Sequence, residues 1–253
     1  MKGLSRWLAA VCLVLVSTIT VSNSQAGVML NGTRFVYPSQ EKEVGVKVFN
    51  QGKGPVLIKG WIDKGDVSAL PEEIKVPFTL NSPIFRLDGD KEKVLRLSYT
   101  GGATLPEDRE SLFWLNIMEV PPRPCNKKDE EKYTMQFAFR YRLKLFFRPE
   151  GLSGSAEDAA KELIWSKNER QGQLVLKVTN NRPYYVSLAE VKLRHDGQIT
   201  VVEPETIAPF SSHDFVLKKL VQKRFSNDVG LVDYRWINEW GGVVENSRPL
   251  AHK

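Results

Sequence analysis

The sequence predicts an all-β protein that consists of two β-sandwiches. Apolar and polar residues alternate in short runs along most of the chain, and clusters of Gly, Pro, Asn and Asp separate these runs. A helical pattern is confined to one short segment. Residues 27–253 are about twice the ~100 residues of one immunoglobulin-like sandwich, so two such domains are expected.

In the first half, period-two runs of branched and aromatic residues predict strands, and Gly, Pro, Asn and Asp predict the turns that end them. The predicted strands are Val44–Val48, Val56–Ile62, Phe85–Leu87, Val94–Tyr99 and Leu112–Val120.

The strand pattern restarts in the second half, after a Gly/Ser/Ala stretch that follows Pro149. Residues 156–164 are predicted to be helical, and strands are predicted at 174–178 and 184–188. The predicted domains are therefore 27–149 and 150–253.

The first 26 residues are typical of a signal peptide. Lys2 and Arg6 precede an apolar run at 7–16, and Ser24-Gln25-Ala26 fits a signal-peptidase site. The apolar run is well short of the ~20 residues that span a bilayer. We therefore expect cleavage after Ala26, export, and a mature chain without a membrane-inserted segment.

Composition disfavours several functional classes. The chain has 36 Lys and Arg against 30 Asp and Glu, and the scattered basic residues do not indicate nucleic-acid binding. Two cysteines and three histidines leave little room for a disulfide scaffold, a metal site or histidine-dependent catalysis. The sequence also lacks a phosphate-binding loop and a nucleophile elbow. We expect no enzyme activity, no cofactor and no metal.

The segment from Met135 to Pro149 combines an apolar row with a row of cations. Odd positions from 135 to 143 are large and apolar, whereas 140, 142 and 144 are Arg, Arg and Lys. Because successive side chains of a strand point to opposite faces, one face is apolar. That face either covers the domain core or forms an exposed edge that meets a partner, and periodicity allows both.

Several motifs resemble those of the periplasmic pilus chaperones of the chaperone–usher pathway. The most specific are the stretches at 105–117 (LPEDRESLFWLNI) and 143–149 (LKLFFRP). Further matches, in the same order as in the family, lie at 32–37, 83–87, 181–186 and 237–242. The resemblance implies two immunoglobulin-like β-sandwiches arranged in an L with a cleft between them.

The resemblance also implies a function and two binding partners. Family members stabilise pilin subunits by donating a strand to an incomplete pilin sandwich, and they deliver the subunits to an outer-membrane usher. The donated strand corresponds here to 135–147, with Met135, Phe137, Phe139 and Tyr141 as the donated side chains. The positions that anchor the pilin C-terminal carboxylate correspond to Arg34 and Lys144.

Two further sets of positions follow from the resemblance. Glu110, Arg148 and Glu239 correspond to an interdomain ionic network, and Pro55 and Leu57 to a surface that faces the usher. The lone Cys125 lies in the loop where long-loop members carry a cysteine pair, so the chain is closer to the short-loop type.

Two other interpretations are possible. A secreted two-domain binding module for a carbohydrate or a surface receptor would place Phe137 and Phe139 in the core and give Arg34 and Lys144 no shared role. An exported hydrolase would need a nucleophile and a base that the sequence does not offer.

Overall fold

The structure, a computed structural model, describes residues 27–102, 104–122, 136–170, 173–195, 197–217 and 230–251. The predicted signal peptide, Cys125 and Met135 lie outside these ranges. Within them the regular secondary structure is almost entirely β-strand, and the strands form two β-sandwiches, as predicted.

The first sandwich contains two sheets. The four-stranded sheet has the order β1-β3-β7-β5 and the five-stranded sheet the order β2-β9-β8-β4-β6. The strands are β1 (Val28–Leu30), β2 (Arg34–Pro38), β3 (Val44–Asn50), β4 (Val56–Asp63), β5 (Phe78–Leu80), β6 (Ile84–Leu87), β7 (Glu92–Tyr99), β8 (Ser111–Val120) and β9 (Phe139–Arg148).

The core of this domain is made by the alternating inward side chains of both sheets. Val46 and Val48 of β3 and Leu95 and Leu97 of β7 are fully buried. They face Ile58, Leu115 and Ile117 of the other sheet within one apolar cluster. This period-two burial is why the alternation in the sequence identified these strands.

The second domain begins with a short helix and continues as strands. It consists of α1 (Ala156–Lys161), β10 (Ile164–Arg170), β11 (Gln173–Asn180), β12 (Val186–His195), β13 (Gln198–Val202), β14 (Thr206–Ile207), β15 (Ser211–Val216), β16 (Leu231–Ile237) and β17 (Val243–Ala251). β17 pairs with β16 along most of its length and with β10 at its end, so it links the two faces of the sandwich.

The helix prediction of 156–164 was too long at its C-terminal end. Ser155 caps the helix N-terminus by accepting a hydrogen bond from the Asp158 amide, but the last helical residue is Lys161. Ile164 already belongs to β10 and lies opposite Thr179 of β11. Sheet pairing therefore overrides a helical pattern that is only two turns long.

Candidate functional site

One half of β9 has a neighbour on only one side. β8 is antiparallel to β9 along its whole length, with Ser111 opposite Phe147 and Glu119 opposite Phe139. β2 is parallel to β9 on the other side, but only from Arg34 opposite Lys144 to Pro38 opposite Arg148. Among the described residues no strand pairs with that side of 139–143. We call this segment the open edge.

The apolar row of β9 continues from the open edge into the core. Phe137 and Phe139 are 63% and 56% exposed. Tyr141 and Leu143 are half-buried against the core cluster, and Leu145 and Phe147 are members of it. Each of the two interpretations of the row therefore holds for one half of the strand. The exposure of Phe137 and Phe139 differs from what the carbohydrate- or receptor-binding alternative expects.

The predicted donated strand of 135–147 is longer than the strand that forms in the isolated chain. β9 begins at Phe139, and residues 136–138 are described but are not part of a strand. Phe137 lies in this stretch before β9. Met135 is outside the described residues.

Two cations meet where the open edge ends. Arg34 and Lys144 are register partners in the β2–β9 pair, so their side chains lie on the same face. Arg34 is only 9% exposed, and its Nη1 donates to the Ile237 carbonyl of the second domain at 2.9 Å. Its Nε is buried and has no hydrogen-bond partner in the part of the chain that the structure describes. Burial lowers the pKa of Arg34.

The Lys144 ammonium also points to the second domain. It donates to Ser187 Oγ at 3.0 Å and to Thr206 Oγ1. Burial, together with the nearby Arg34 charge, lowers the pKa of Lys144 to about 8, although Glu205 opposes the shift. Within the described residues, neither Lys144 nor Arg34 forms an ion pair with a carboxylate. The pair is thus suited to bind an anion.

Glu110, Arg148 and Glu239 form a contiguous network between the domains. Arg148 donates from Nε and Nη2 to Glu110 Oε1 at 2.8 and 2.7 Å, and also to Glu239. Glu110 Oε2 accepts from the Tyr185 amide of the second domain at 2.8 Å. Burial raises the pKa of Glu110, and the charge of Arg148 offsets part of this shift. Glu239 thus joins the network through its contact with Arg148.

A second set of polar residues, which the sequence did not predict as functional, supports the face that carries Arg34 and Lys144. Asp63 is 1% exposed and accepts from Arg142 Nη2 at 2.7 Å and from Asn116 Nδ2 at 2.8 Å. Arg142 also stacks on Trp114 with its guanidinium carbon 4.1 Å from the ring centre. Trp-x-Asp in β4 and Trp-x-Asn in β8 are visible in the sequence, but only the pairing of these strands brings them together.

The remaining predicted positions lie elsewhere in the first domain. Leu57 of β4 is 45% exposed and pairs with Val120 of β8, so β8 separates it from β9. Pro55 immediately precedes β4 and is half-buried. Among the described residues, no three or more His, Cys, Asp or Glu side chains form a group suited to a metal ion. No helix among them has the length and apolarity that a membrane span requires.

Comparisons with known proteins agree with this architecture. Residues 27–153 match the family described as "Pili and flagellar-assembly chaperone, PapD N-terminal domain", and residues 158–248 match "Pili assembly chaperone PapD, C-terminal domain". The chain belongs to the pilus-assembly chaperone family. This is a family of chaperones rather than of enzymes, and the predicted fold and family are thus confirmed.

Individual relatives are similar along nearly the whole chain. The probable fimbrial chaperone YadV of Escherichia coli K12 is 39% identical over 95% of this chain and 96% of its own. The YadV crystal structure has a TM-score of 0.74 and covers 89% of this chain and 100% of its own. The CupB2 chaperone of Pseudomonas aeruginosa is 40% identical over 88% of this chain and 100% of its own, with a TM-score of 0.72.

A third solved structure contains a bound subunit. It is the Salmonella enterica SafA pilin in complex with the SafB chaperone. This structure is 27% identical to the chain, has a TM-score of 0.68, and covers 90% of this chain and 97% of the matched one.

Proposed function

We propose that this pilus-assembly chaperone captures pilin subunits in the periplasm by pairing a pilin strand with the open edge of β9, and that Arg34 and Lys144 bind the pilin C-terminal carboxylate. One observation carries the proposal. The open edge ends at two neighbouring cations that have no carboxylate partner among the described residues. A strand that pairs along this edge and ends in a carboxylate would satisfy the unpaired backbone groups of the edge and neutralise the two cations.

The position of β2 sets the direction of the docked strand. β2 occupies the same side of β9 from Lys144 onward, so a strand added along 139–143 has to stop there. Only a strand parallel to β9 brings its C-terminus, rather than its N-terminus, to Arg34 and Lys144. An incoming ammonium group would be repelled by the two cations, so the carboxylate also selects this direction.

The apolar row supplies binding energy along the edge. Phe137 and Phe139 are more than half exposed. Transfer of each ring into an apolar groove of the pilin would contribute ~1.5–3 kcal/mol. Tyr141 would add less because it already packs on the core. Met135 would extend the row if the donated strand lengthens on binding. Backbone hydrogen bonds to the open edge would add to this energy.

The carboxylate would relieve an unfavourable charge arrangement. Two buried like charges that form no ion pair with a carboxylate of the described residues raise the free energy of the unliganded protein, as the lowered pKa of Lys144 indicates. Hydrogen bonds that involve charged groups contribute ~1.5–3 kcal/mol net. Arg34 Nε, which is buried and has no hydrogen-bond partner among the described residues, would then have an acceptor.

The proposed role of Glu110, Arg148 and Glu239 is to hold the two domains in register with the carboxylate site. Ile237 and Ser187 of the second domain contact Arg34 and Lys144, so the site depends on the domain arrangement. The proposal includes two further steps. The chain is exported after cleavage at Ala26, and it delivers the subunit to an outer-membrane usher through a surface that includes Pro55 and Leu57.

The SafB–SafA complex supports this function, because that similar chaperone was solved with a pilin bound. The alternative of a carbohydrate or receptor module gives no shared role to Arg34 and Lys144, yet these residues are register partners.

The experiment is co-expression of the chain with a fimbrial pilin in a periplasm, followed by affinity purification of the chaperone. Phe139→Asn should reduce capture roughly tenfold to a hundredfold, because an apolar contact is lost and an amide enters an apolar groove. Asn is preferred to Asp because Glu119 lies opposite Phe139.

The matched control is Ile84→Asn. Ile84 is 59% exposed on β6, the strand at the other edge of the same sheet. The Ile84→Asn variant should capture as much pilin as the unmodified chain. Unchanged capture by Phe139→Asn, or unfolding of that variant in the absence of pilin, would contradict the proposed role of the edge.

A further inference from the structure

The open edge leaves one register ambiguity that the apolar row does not resolve. Side chains of a strand alternate with period two, so a docked strand that slips by one residue turns its apolar side chains away. A slip by two residues keeps them on the correct face. It moves the terminal carboxylate by about 6.7 Å along β9.

Only one direction of slippage is open. Toward Arg148, β2 already occupies the edge from Lys144 onward. Toward the start of β9, a two-residue slip brings the carboxylate from Lys144 to Arg142, and a four-residue slip brings it to Arg140. All three cations lie on one face of β9, so Arg142 and Arg140 are competing anchors.

Arg142 is already neutralised in the unliganded protein. Its Nη2 donates to Asp63 Oδ1 at 2.7 Å and its Nε to Oδ2 at 3.4 Å. Asp63 is held in turn by the Gly65 amide at 2.6 Å and by Asn116 Nδ2 at 2.8 Å. Burial would raise the pKa of Asp63, but the bonds from Arg142, Asn116 and Gly65 lower it overall, so the carboxylate stays charged.

Arg140 is occupied in the same way. Its Nε donates to Asn116 Oδ1 at 3.0 Å and its Nη1 to the Val67 carbonyl at 2.9 Å. Its Nη2 lies 3.6 Å from Asp63 Oδ2, and the guanidinium stacks on Trp61 at 4.8 Å. One buried carboxylate therefore serves both arginines, whereas Lys144 and Arg34 have none among the described residues.

We propose that Asp63, positioned by Asn116, determines the register in which a pilin strand docks, because it occupies Arg142 and Arg140 and leaves Arg34 and Lys144 as the anchor for the terminal carboxylate. This inference rests on the proposed function. Asp63 does not touch the pilin itself. It acts through the two arginines and is a specificity-determining positioning residue.

The test uses capture of a co-expressed pilin by chains that carry Lys144→Ala, in which the normal anchor is weakened. Adding Asp63→Asn frees Arg142 and should restore capture roughly tenfold relative to Lys144→Ala alone, the effect of one regained charge-assisted contact. Adding Arg142→Gln to this double variant should abolish the gain. Absence of a gain, or a gain that survives Arg142→Gln, overturns the inference.

A measurement of the docking register distinguishes a role of Asp63 in setting the register from a purely structural role of Asp63. The probe is a synthetic peptide of the pilin C-terminal strand with one cysteine, and the chaperone carries a cysteine at 139 or 141 in a Cys125→Ser background. With Asp63 intact, disulfide trapping should occur at the in-register position. With Asp63→Asn, a population trapped two residues closer to the start of β9 should appear. Identical trapping in both chains overturns the inference.

A further arm does not require the Asp63 variant to fold. With Asp63 intact, adding Arg142→Gln to Lys144→Ala should leave the residual capture per folded chaperone unchanged, and a further loss per folded chaperone overturns the inference. Failure of the unmodified chain to capture pilin would instead refute the proposed function. Loss of capture in Lys144→Ala without rescue by Asp63→Asn would refute the register role alone.

Discussion

Lys144 combines three properties that a carboxylate anchor needs: burial, a neighbouring cation and hydrogen-bonding neighbours that are neutral. Ser187 and Thr206 accept hydrogen bonds from its ammonium but carry no charge to balance it. Its pKa therefore falls to about 8, close to physiological pH. Burial also lowers the pKa of Arg34, but a guanidinium is so basic that Arg34 remains protonated at neutral pH.

Pilin affinity should therefore depend on pH through Lys144. A bound carboxylate favours the ammonium form, so at pH above about 8 binding requires the uptake of a proton, and the affinity should fall as the pH rises from 7 to 9.5. Titration of a pilin C-terminal peptide by calorimetry at several pH values measures this. Lys144→Arg, which remains charged, should show no decrease, and a flat profile for the unmodified chain would contradict the assignment.

The lowered pKa of Lys144 affects the stability of the fold in the opposite direction from pilin affinity. The pKa of Lys144 is about 8 in the folded chain, below its ordinary value of 10.5. Between these two values the unfolded chain binds more protons. The contribution of Lys144 to the free energy of unfolding therefore increases with pH across this window.

At the scale of the element, β9 separates what the sequence can predict from what it cannot. Alternation correctly predicted a strand with an apolar face, and the face continues into the core through Leu145 and Phe147. It could not predict where the neighbouring strand β2 begins. β1 pairs with β3 in one sheet, and β2, after residues 31–33, pairs with β9 in the other. This change of sheet leaves the open edge uncovered.

The site was predictable only in part. Arg34 and Lys144 are 110 positions apart in the sequence, and family resemblance, rather than periodicity, suggested that they act together. The structure brings them into register. Asp63 had no such signal, because its side-chain partners lie on two other strands and an Asp two residues before Gly65 resembles a turn residue.

At the scale of the whole molecule, the chain length and the spacing of the turns predicted two sandwiches. They did not predict how deeply the contacts between the two domains are buried. Glu110 is 3% exposed and receives hydrogen bonds from Arg148 and from the Tyr185 amide. The side chain of Glu239 is 33% exposed. The network is thus buried at the Glu110 end and solvated at the Glu239 end. The two carboxylates should therefore contribute unequally to the free energy of unfolding.

Arg148→Met should lower the free energy of unfolding by ~3–5 kcal/mol, because Glu110 would remain buried without its counter-charge. Glu239→Gln should lower it by ~1 kcal/mol or less, since the solvated end of the network is screened by water. Urea denaturation of both variants at neutral pH compares them. Equal losses would contradict the unequal burial of the two ends.

The most direct test of the central claim is the affinity of the unmodified chain for a pilin C-terminal peptide with a free carboxylate against the same peptide amidated. Removal of one partner from a buried charge pair costs ~2–5 kcal/mol, which is roughly 30- to 4,000-fold in affinity. We predict a loss in this range for the unmodified chain and a much smaller loss for Lys144→Ala and Arg34→Ala. Equal affinity of the unmodified chain for both peptides would contradict the claim that Arg34 and Lys144 bind the carboxylate.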